Sequence, residues 1–157
     1  MTNKPITVRV ATRKDEDRVF ALMHMAHKEN SQASINNQKV WDKIRLATRR
    51  KGAVIGVIDG PHGLEGLICL ILGQWWYTDD WMVEEIVNFV HPEHRRSNHA
   101  KDLLQFSKWF SEQMSLPLMV GVLSTIKTEA KVRLYGRQLQ NVGAVFCHNM
   151  KGDEAHE

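Results

Sequence analysis

The run Ile86 to Leu104, IVNFVHPEHRRSNHAKDLL, has the residue types and spacing best suited to chemistry. β-Branched and aromatic residues give way at Pro92 to a basic polar loop, His94-Arg95-Arg96-Ser97-Asn98-His99-Ala100, and then at once to helical spacing. Strand, loop and helix in that order aim backbone N–H groups into the positive end of a helix dipole, where a phosphate ester is a natural occupant. On these residues alone, an ordinary strand-to-helix connection with solvated arginines fits equally well. Upstream on the same strand lie Glu84 and Glu85. Buried there, a glutamate has its pKa raised toward neutrality by desolvation and suits proton abstraction. Facing solvent, it does neither, and both readings stand.

The pattern Val90-x-Pro92-Glu93-His94-Arg95-x-x-Asn98-x-Ala100-x-x-Leu103-Leu104 resembles the acetyl-CoA signature of the GNAT N-acetyltransferase superfamily, Gln/Arg-x-x-Gly-x-Gly/Ala after a V-x-P-E-aromatic-R lead-in. Arg95 matches the first motif position and Ala100 the last. Asn98 and Arg96 stand where the family has glycines, which leaves less room against a pyrophosphate. Asparagine is the non-glycine residue that best tolerates positive φ, so the loop is expected to close. The resemblance implies acetyl-CoA as co-substrate, held by Phe89, Val90, Arg95, Arg96, Ser97, Asn98, His99, Ala100 and Lys101, with the Val90 amide as an oxyanion donor.

A second element, Ala130 to Leu139 (AKVRLYGRQL), resembles the family's A-x-x-L-Y-x-x-x-G-F, stretched before Gly143 and Phe146. In that family the tyrosine is commonly the general acid for the CoA thiolate, which gives Tyr135 that role; the alternative is a helix tyrosine that anchors the core. A phenol ionises near pH ~10 and so keeps its proton at neutral pH. Glu84 lies eleven positions before Arg95, the offset at which protein-acetylating relatives place their glutamate, and is preferred to Glu85 as base. The activity implied is acetyl transfer to a primary amine by direct attack in a ternary complex. A non-catalytic GNAT-like module that binds CoA or a partner protein is the competing class. Glu84, Glu85, Asp79 and Asp80 favour a cationic acceptor, either a small molecule or a protein amine.

The elements that must position these residues read clearly. Ile6 to Ala11 alternates as a first strand after Pro5, and Thr12 with Asp15 opens a helix to about Lys28 with Val19, Phe20, Leu22, Met23 and Ala26 on its apolar face. Val40 to about Arg50 is a second helix, and Asn30 to Asn37 between them is a substrate-side candidate. Ala53 to Ile58 and Leu64 to Leu72 form a hairpin across Asp59-Gly60-Pro61-His62-Gly63, and Trp81 to Val90 is the next strand after GQWWYTDD. A helix from about Ser97 to Met114, a buried strand Leu116 to Leu123, a helix from Glu129 to about Asn141 and a last strand Val142 to Met150 complete the order. The resemblance therefore implies one α+β domain over 1–157: a twisted, mostly antiparallel sheet of about six strands with four helices and splayed central strands. Lys151 to Glu157 is expected to be a frayed tail.

Bulk properties narrow the alternatives. The 157 residues are 43% hydrophobic and 25% charged with a formal net charge of +3. That is a globular composition, and its mixed charges argue against a nucleic-acid partner, which would need a continuous basic face. Without a leader-like apolar stretch or a run of spanning length, no membrane association and a cytoplasmic location are expected. Cys69 and Cys147 fall in apolar runs and read as buried free thiols; eight scattered histidines give no metal motif. Family members add a seventh strand that this sequence lacks, so an unpaired edge near the C-terminus implies a homodimer that covers it.

Overall fold

Ala53 to Ile58 is buried at every position, which places this run in the middle of a sheet with both faces covered. A computed structural model describes residues 1–30, 33–124 and 127–148. It contains β1 (Arg9–Val10), α1 (Glu16–Asn30), α2 (Asn37–Thr48), β2 (Ala53–Gly60), β3 (Gly63–Gln74), β4 (Trp81–Val90), α3 (His99–Met114), β5 (Leu118–Met119) and α4 (Thr128–Gln138). The five strands lie in sequence order in one sheet; the first four are antiparallel and β5 joins β4 in parallel. The α+β fold with four helices is as expected, but with five strands rather than six among the described residues.

Each face has its own core. Val19, Leu22, Met23 and Ala26 of α1 and Ile44 and Ala47 of α2 pack with Ile55, Val57, Leu67, Cys69 and Phe89. Phe20 stacks on Trp41 at 4.3 Å and 7°, joining the two helices. On the opposite face Leu103 and Phe106 of α3 pack with Val54, Ile58, Ile68, Leu70, Val83 and Val90. Gly56 makes that possible, because a Cβ there would stand 2.8 Å from the Phe106 ring.

β4 carries one residue more than β3 can match. Cys69 pairs with Val87 but Leu70 pairs with Glu85, so Ile86 is extruded as a β-bulge. Side chains otherwise alternate with period two, and the bulge reverses the phase: Val83 belongs to the α3 core, whereas Val87 and Phe89 belong to the α1/α2 core.

Three expectations are corrected. The strand expected over Leu116 to Leu123 and buried on both faces is only Leu118–Met119, after which the chain leaves β4, with Gly121 and Leu123 exposed. The strand expected over Val142 to Met150 is not formed among the described residues. Residues 142–148 are irregular, and Phe146 is 91% exposed, because β5 is too short to offer an edge. Cys147 is accordingly exposed, not buried, whereas Cys69 is buried. Met150 and Lys151 to Glu157 lie outside the described residues.

The sheet is tied to α1 by one carboxylate. Asp15, 1% exposed, precedes α1 in a 3-10 turn and accepts from the Arg9 guanidinium at 2.8 Å through each oxygen, from the Thr12 N–H at 2.8 Å and from Arg18 at 2.6 Å. The Arg9 bond, ahead of the desolvation that opposes it, holds Asp15 well below the usual carboxylate range. Arg9 also bonds the more exposed Asp59. Asp15→Ala should cost about 2–3 kcal/mol in urea unfolding, because it removes the buried acceptor shared by Arg9, Arg18 and the Thr12 N–H, while Asp59→Ala should cost under about 1 kcal/mol. A depressed carboxylate contributes fully above its unfolded pKa and loses that contribution as pH falls. The gap between wild type and Asp15→Ala should therefore shrink below about pH 4; equal costs for the two variants at neutral pH would contradict this account.

Candidate active site

β5 pairs with β4 only at Val83↔Leu118 and Glu84↔Met119. Beyond that point the two chains diverge, and a cavity of about 360 Å³ opens between Glu85–Asn88 of β4 and the stretch Gly121–Ser124. Met23, Ala26, His27 and Asn30 of α1 form one wall, Ile35 and Val40 extend it, and Lys131 and Tyr135 of α4 form another. Most of the lining is apolar. The polar groups converge on the splayed edge.

Glu85 lies in this lining, with the Gly121 N–H donating to its carboxyl group. Its Oε2 has no hydrogen-bond partner among the described residues. Burial, only partly opposed by that N–H and by Lys131, pushes Glu85 up to about 7. Tyr135 faces the same cavity and its hydroxyl accepts from Asn88 Nδ2 at 2.8 Å. Burial first, then the nearby Glu85, raises the phenol above its ordinary range, so it remains a proton donor at neutral pH. Glu84 is on β4 opposite Met119 and Ile71 and does not line the cavity. Asp79 and Asp80 belong to the β3–β4 connection and do not line it either.

The basic loop closes without strain. Asn98 precedes α3 at φ −87° and so needs no left-handed conformation at the position where a glycine was expected. Ser97 Oγ accepts the His99 N–H at 3.2 Å and donates to the His94 carbonyl at 2.5 Å, which fixes the turn. Asn98 makes no side-chain cap, and the N–H groups of Ala100 and Lys101 fall in the first helical turn, ahead of the ladder. Arg96, Ser97 and Asn98 are exposed.

Two expected ligand side chains are engaged within the protein. Arg95 donates to the Glu29 carboxylate at 2.6 Å and to the Val90 carbonyl at 3.2 Å, lying over the Phe89 ring at 5.4 Å. His99 Nε2 is 2.7 Å from Glu65 Oε2, and His94 is 3.5 Å from the same carboxylate. Phe89 and Val90 are buried, paired with Leu67 and Gly66, and lie past the cavity lining. Among the described residues His91, Glu93 and His94 bring possible metal-ligand atoms within 4.8 Å of one another. No helix among them is long and apolar enough to cross a membrane.

No family model matches the chain, and no curated protein matches it in sequence. Solved structures do match in three dimensions. The aminoglycoside 6'-N-acetyltransferase AAC(6')-IG from Acinetobacter haemolyticus superposes with a TM-score of 0.69 at 16% identity over 94% of this chain and all of that one. AAC(6')-Iy, in complex with the bisubstrate analogue CoA-S-monomethyl-acetylneamine, gives 0.71 at 10% identity over 90% of this chain and 95% of that one. A GNAT family acetyltransferase from Staphylococcus aureus gives 0.61 at 12% identity over 90% and 96%. The fold is that of the GNAT acetyltransferases. Within the GNAT fold, the divergence of β4 from β5 after Glu84 places Glu85 and Tyr135 on one cavity. Sequence reasoning did not single out Asn88 or Lys131. Lys131 was legible in principle, one helical turn before Tyr135 and therefore on the same face.

The raised Glu85 has a stability signature. Its folded pKa exceeds the ordinary 4.5, so its contribution to stability is lost as pH rises from there to about 7 and then stays level. Glu85→Gln should be more stable than wild type by up to about 3 kcal/mol near pH 8, with the gap closing toward pH 4 in urea melts. A gap that does not change with pH would mean that ionisation of Glu85 is not its cause.

Proposed function

We propose that the chain is a single-domain, acetyl-CoA-dependent N-acetyltransferase that acts on a primary amine by direct attack in a ternary complex. The observation that carries the reading is the shared cavity of Glu85 and Tyr135 at the splayed edge, one group pushed up to about 7 and the other held protonated. The first turn of α3 and the exposed Arg96 are the donor-phosphate side, with Arg95 and Glu29 holding the loop against α1. Acetyl-CoA supplies the thioester. Glu85, ionised in part at neutral pH, accepts the proton of the incoming amine, directly or through water. As the carbon–nitrogen bond forms and the carbon–sulfur bond breaks, Tyr135 protonates the departing thiolate, and Asn88 holds its hydroxyl in place.

Glu85 is preferred to Glu84 in this reading because it, and not Glu84, lines the cavity. A cavity with mostly apolar walls and one carboxyl group suits a compact amine better than a polycation. The protein is taken to be cytosolic and homodimeric, with the exposed Val142, Val145 and Phe146 covered by a second copy. Light scattering at micromolar concentration checks the dimer.

Isothermal titration with acetyl-CoA tests the donor site. Wild type should bind, and Arg96→Ala should bind roughly tenfold more weakly through loss of a charged phosphate contact. With a reactive amine, Glu85→Gln should lower kcat/KM by roughly 10²–10⁴-fold and abolish the acidic limb of its pH profile, which in wild type falls below pH about 7. Absence of acetyl-CoA binding by wild type would favour a non-catalytic module instead.

A further inference from the structure

The cavity carries an amine of its own. Lys131 lines it from α4, one helical turn before Tyr135, so the two side chains leave the same face of the helix about 5–6 Å apart at Cβ. Its Nζ donates to Ser124 Oγ at 2.9 Å, and Ser124 in turn donates to Asn30 Oδ1 at 2.8 Å, so the amine is held inward across the splayed opening. Glu29 of α1, Arg95 of the loop and Glu85 of β4 are the charged groups within electrostatic reach.

We propose that Lys131 is an internal acceptor: acetyl-CoA bound at this site acetylates the Lys131 Nζ of the same chain. The inference rests on the acetyltransferase reading above and adds to it a modification site. Three observations converge. Among the described residues lining the cavity, Lys131 supplies the one amine, and it shares that cavity with the candidate base and the candidate acid. Burial lowers its pKa, against the opposing pull of Glu29 and Glu85 and with Arg95 on the side of burial, so more of it is the neutral nucleophile than for a solvated lysine. Its position four residues before Tyr135 is fixed by the helix, so the attacking nitrogen and the proton donor are held on one rigid element.

The step balances with no further reactant. The neutral amine attacks the thioester carbonyl, forming the N–C bond as the C–S bond breaks. The proton lost by nitrogen goes to Glu85, and the thiolate takes its proton from Tyr135; the products are acetyl-lysine and CoA. The modified side chain carries no charge, which alters the electrostatic surroundings of Arg95 and Glu29.

Purified wild type incubated with acetyl-CoA, followed by intact-mass measurement and peptide mapping, should gain one acetyl group at Lys131. The rate should saturate with acetyl-CoA and not depend on protein concentration. Lys131 should react roughly a hundredfold faster than the exposed Lys39 of the same chain, whose acetylation reports the uncatalysed reaction. Unfolding in urea should remove that difference, and Glu85→Gln should slow Lys131 acetylation roughly a hundredfold. Lys131→Arg, checked for folding by its melting temperature, should gain no acetyl group at that position. If acetyl-CoA binds by titration and an added amine is acetylated while Lys131 stays unmodified, the internal acceptor is overturned and the acetyltransferase reading stands. If acetyl-CoA does not bind, both fall.

Discussion

The arrangement depends on a failure of strand pairing. β4 is hydrogen-bonded to β3 along nearly its whole length, but on its other edge it holds β5 for two residues only. A strand edge inside a protein must find partners for its N–H and C=O groups or keep them near water or a ligand. Here the second half of β4 meets a cavity where a neighbouring strand would otherwise run. The helices then have definite tasks. α1 and α2 wall the cavity from one face of the sheet, α3 buttresses the other face, and α4 brings Lys131 and Tyr135 across the gap.

Two carboxylates in this fold show how environment decides ionisation. Asp15 is enclosed by two guanidinium groups and a backbone N–H, and stays charged although almost fully buried. Glu85 has the Gly121 N–H and the partial opposition of Lys131 across the cavity, with one oxygen lacking a hydrogen-bond partner among the described residues, and is driven toward neutrality. Asp15 uses its charge to join β1 to α1. Glu85 keeps a proton poised for exchange, a property that fuller satisfaction by neighbours would remove.

Much of the architecture was legible because it obeys periodic rules. The Gly60-Pro61-His62-Gly63 turn, the amphipathic faces of α1 and α3 and the strand ending at Val90 all follow from side-chain spacing. The strand expected over Val142 to Met150 has the right composition, but a strand also needs an edge, and whether one is available depends on β5, far from those residues in sequence. The choice between Glu84 and Glu85 was equally hidden. Their order says nothing about which lines the cavity, because the phase of β4 is set by a bulge that shows only in its pairing with β3. Arg95 illustrates a third limit: its residue type marks the loop, but its guanidinium faces Glu29, a contact between distant segments.

The bulge at Ile86 makes the length of β4 a matter of parity. In a loop, removing one residue shortens a connection; at position 86 it would remove the bulge and keep every pairing with β3, because Glu85 and Val87 already lie opposite the adjacent Leu70 and Cys69. If Ile86 instead took a regular place opposite Cys69, every side chain beyond it would turn to the opposite face. Phe89 would leave the α1/α2 core for the α3 side, and Arg95, which lies over that ring and reaches Glu29, would lose its seat. Along this strand, substitutions test individual contacts, but a further inserted residue must be extruded as Ile86 is or it reverses a face. Homologous chains built on this plan should therefore lose a residue between Val83 and Val90 only together with the bulge.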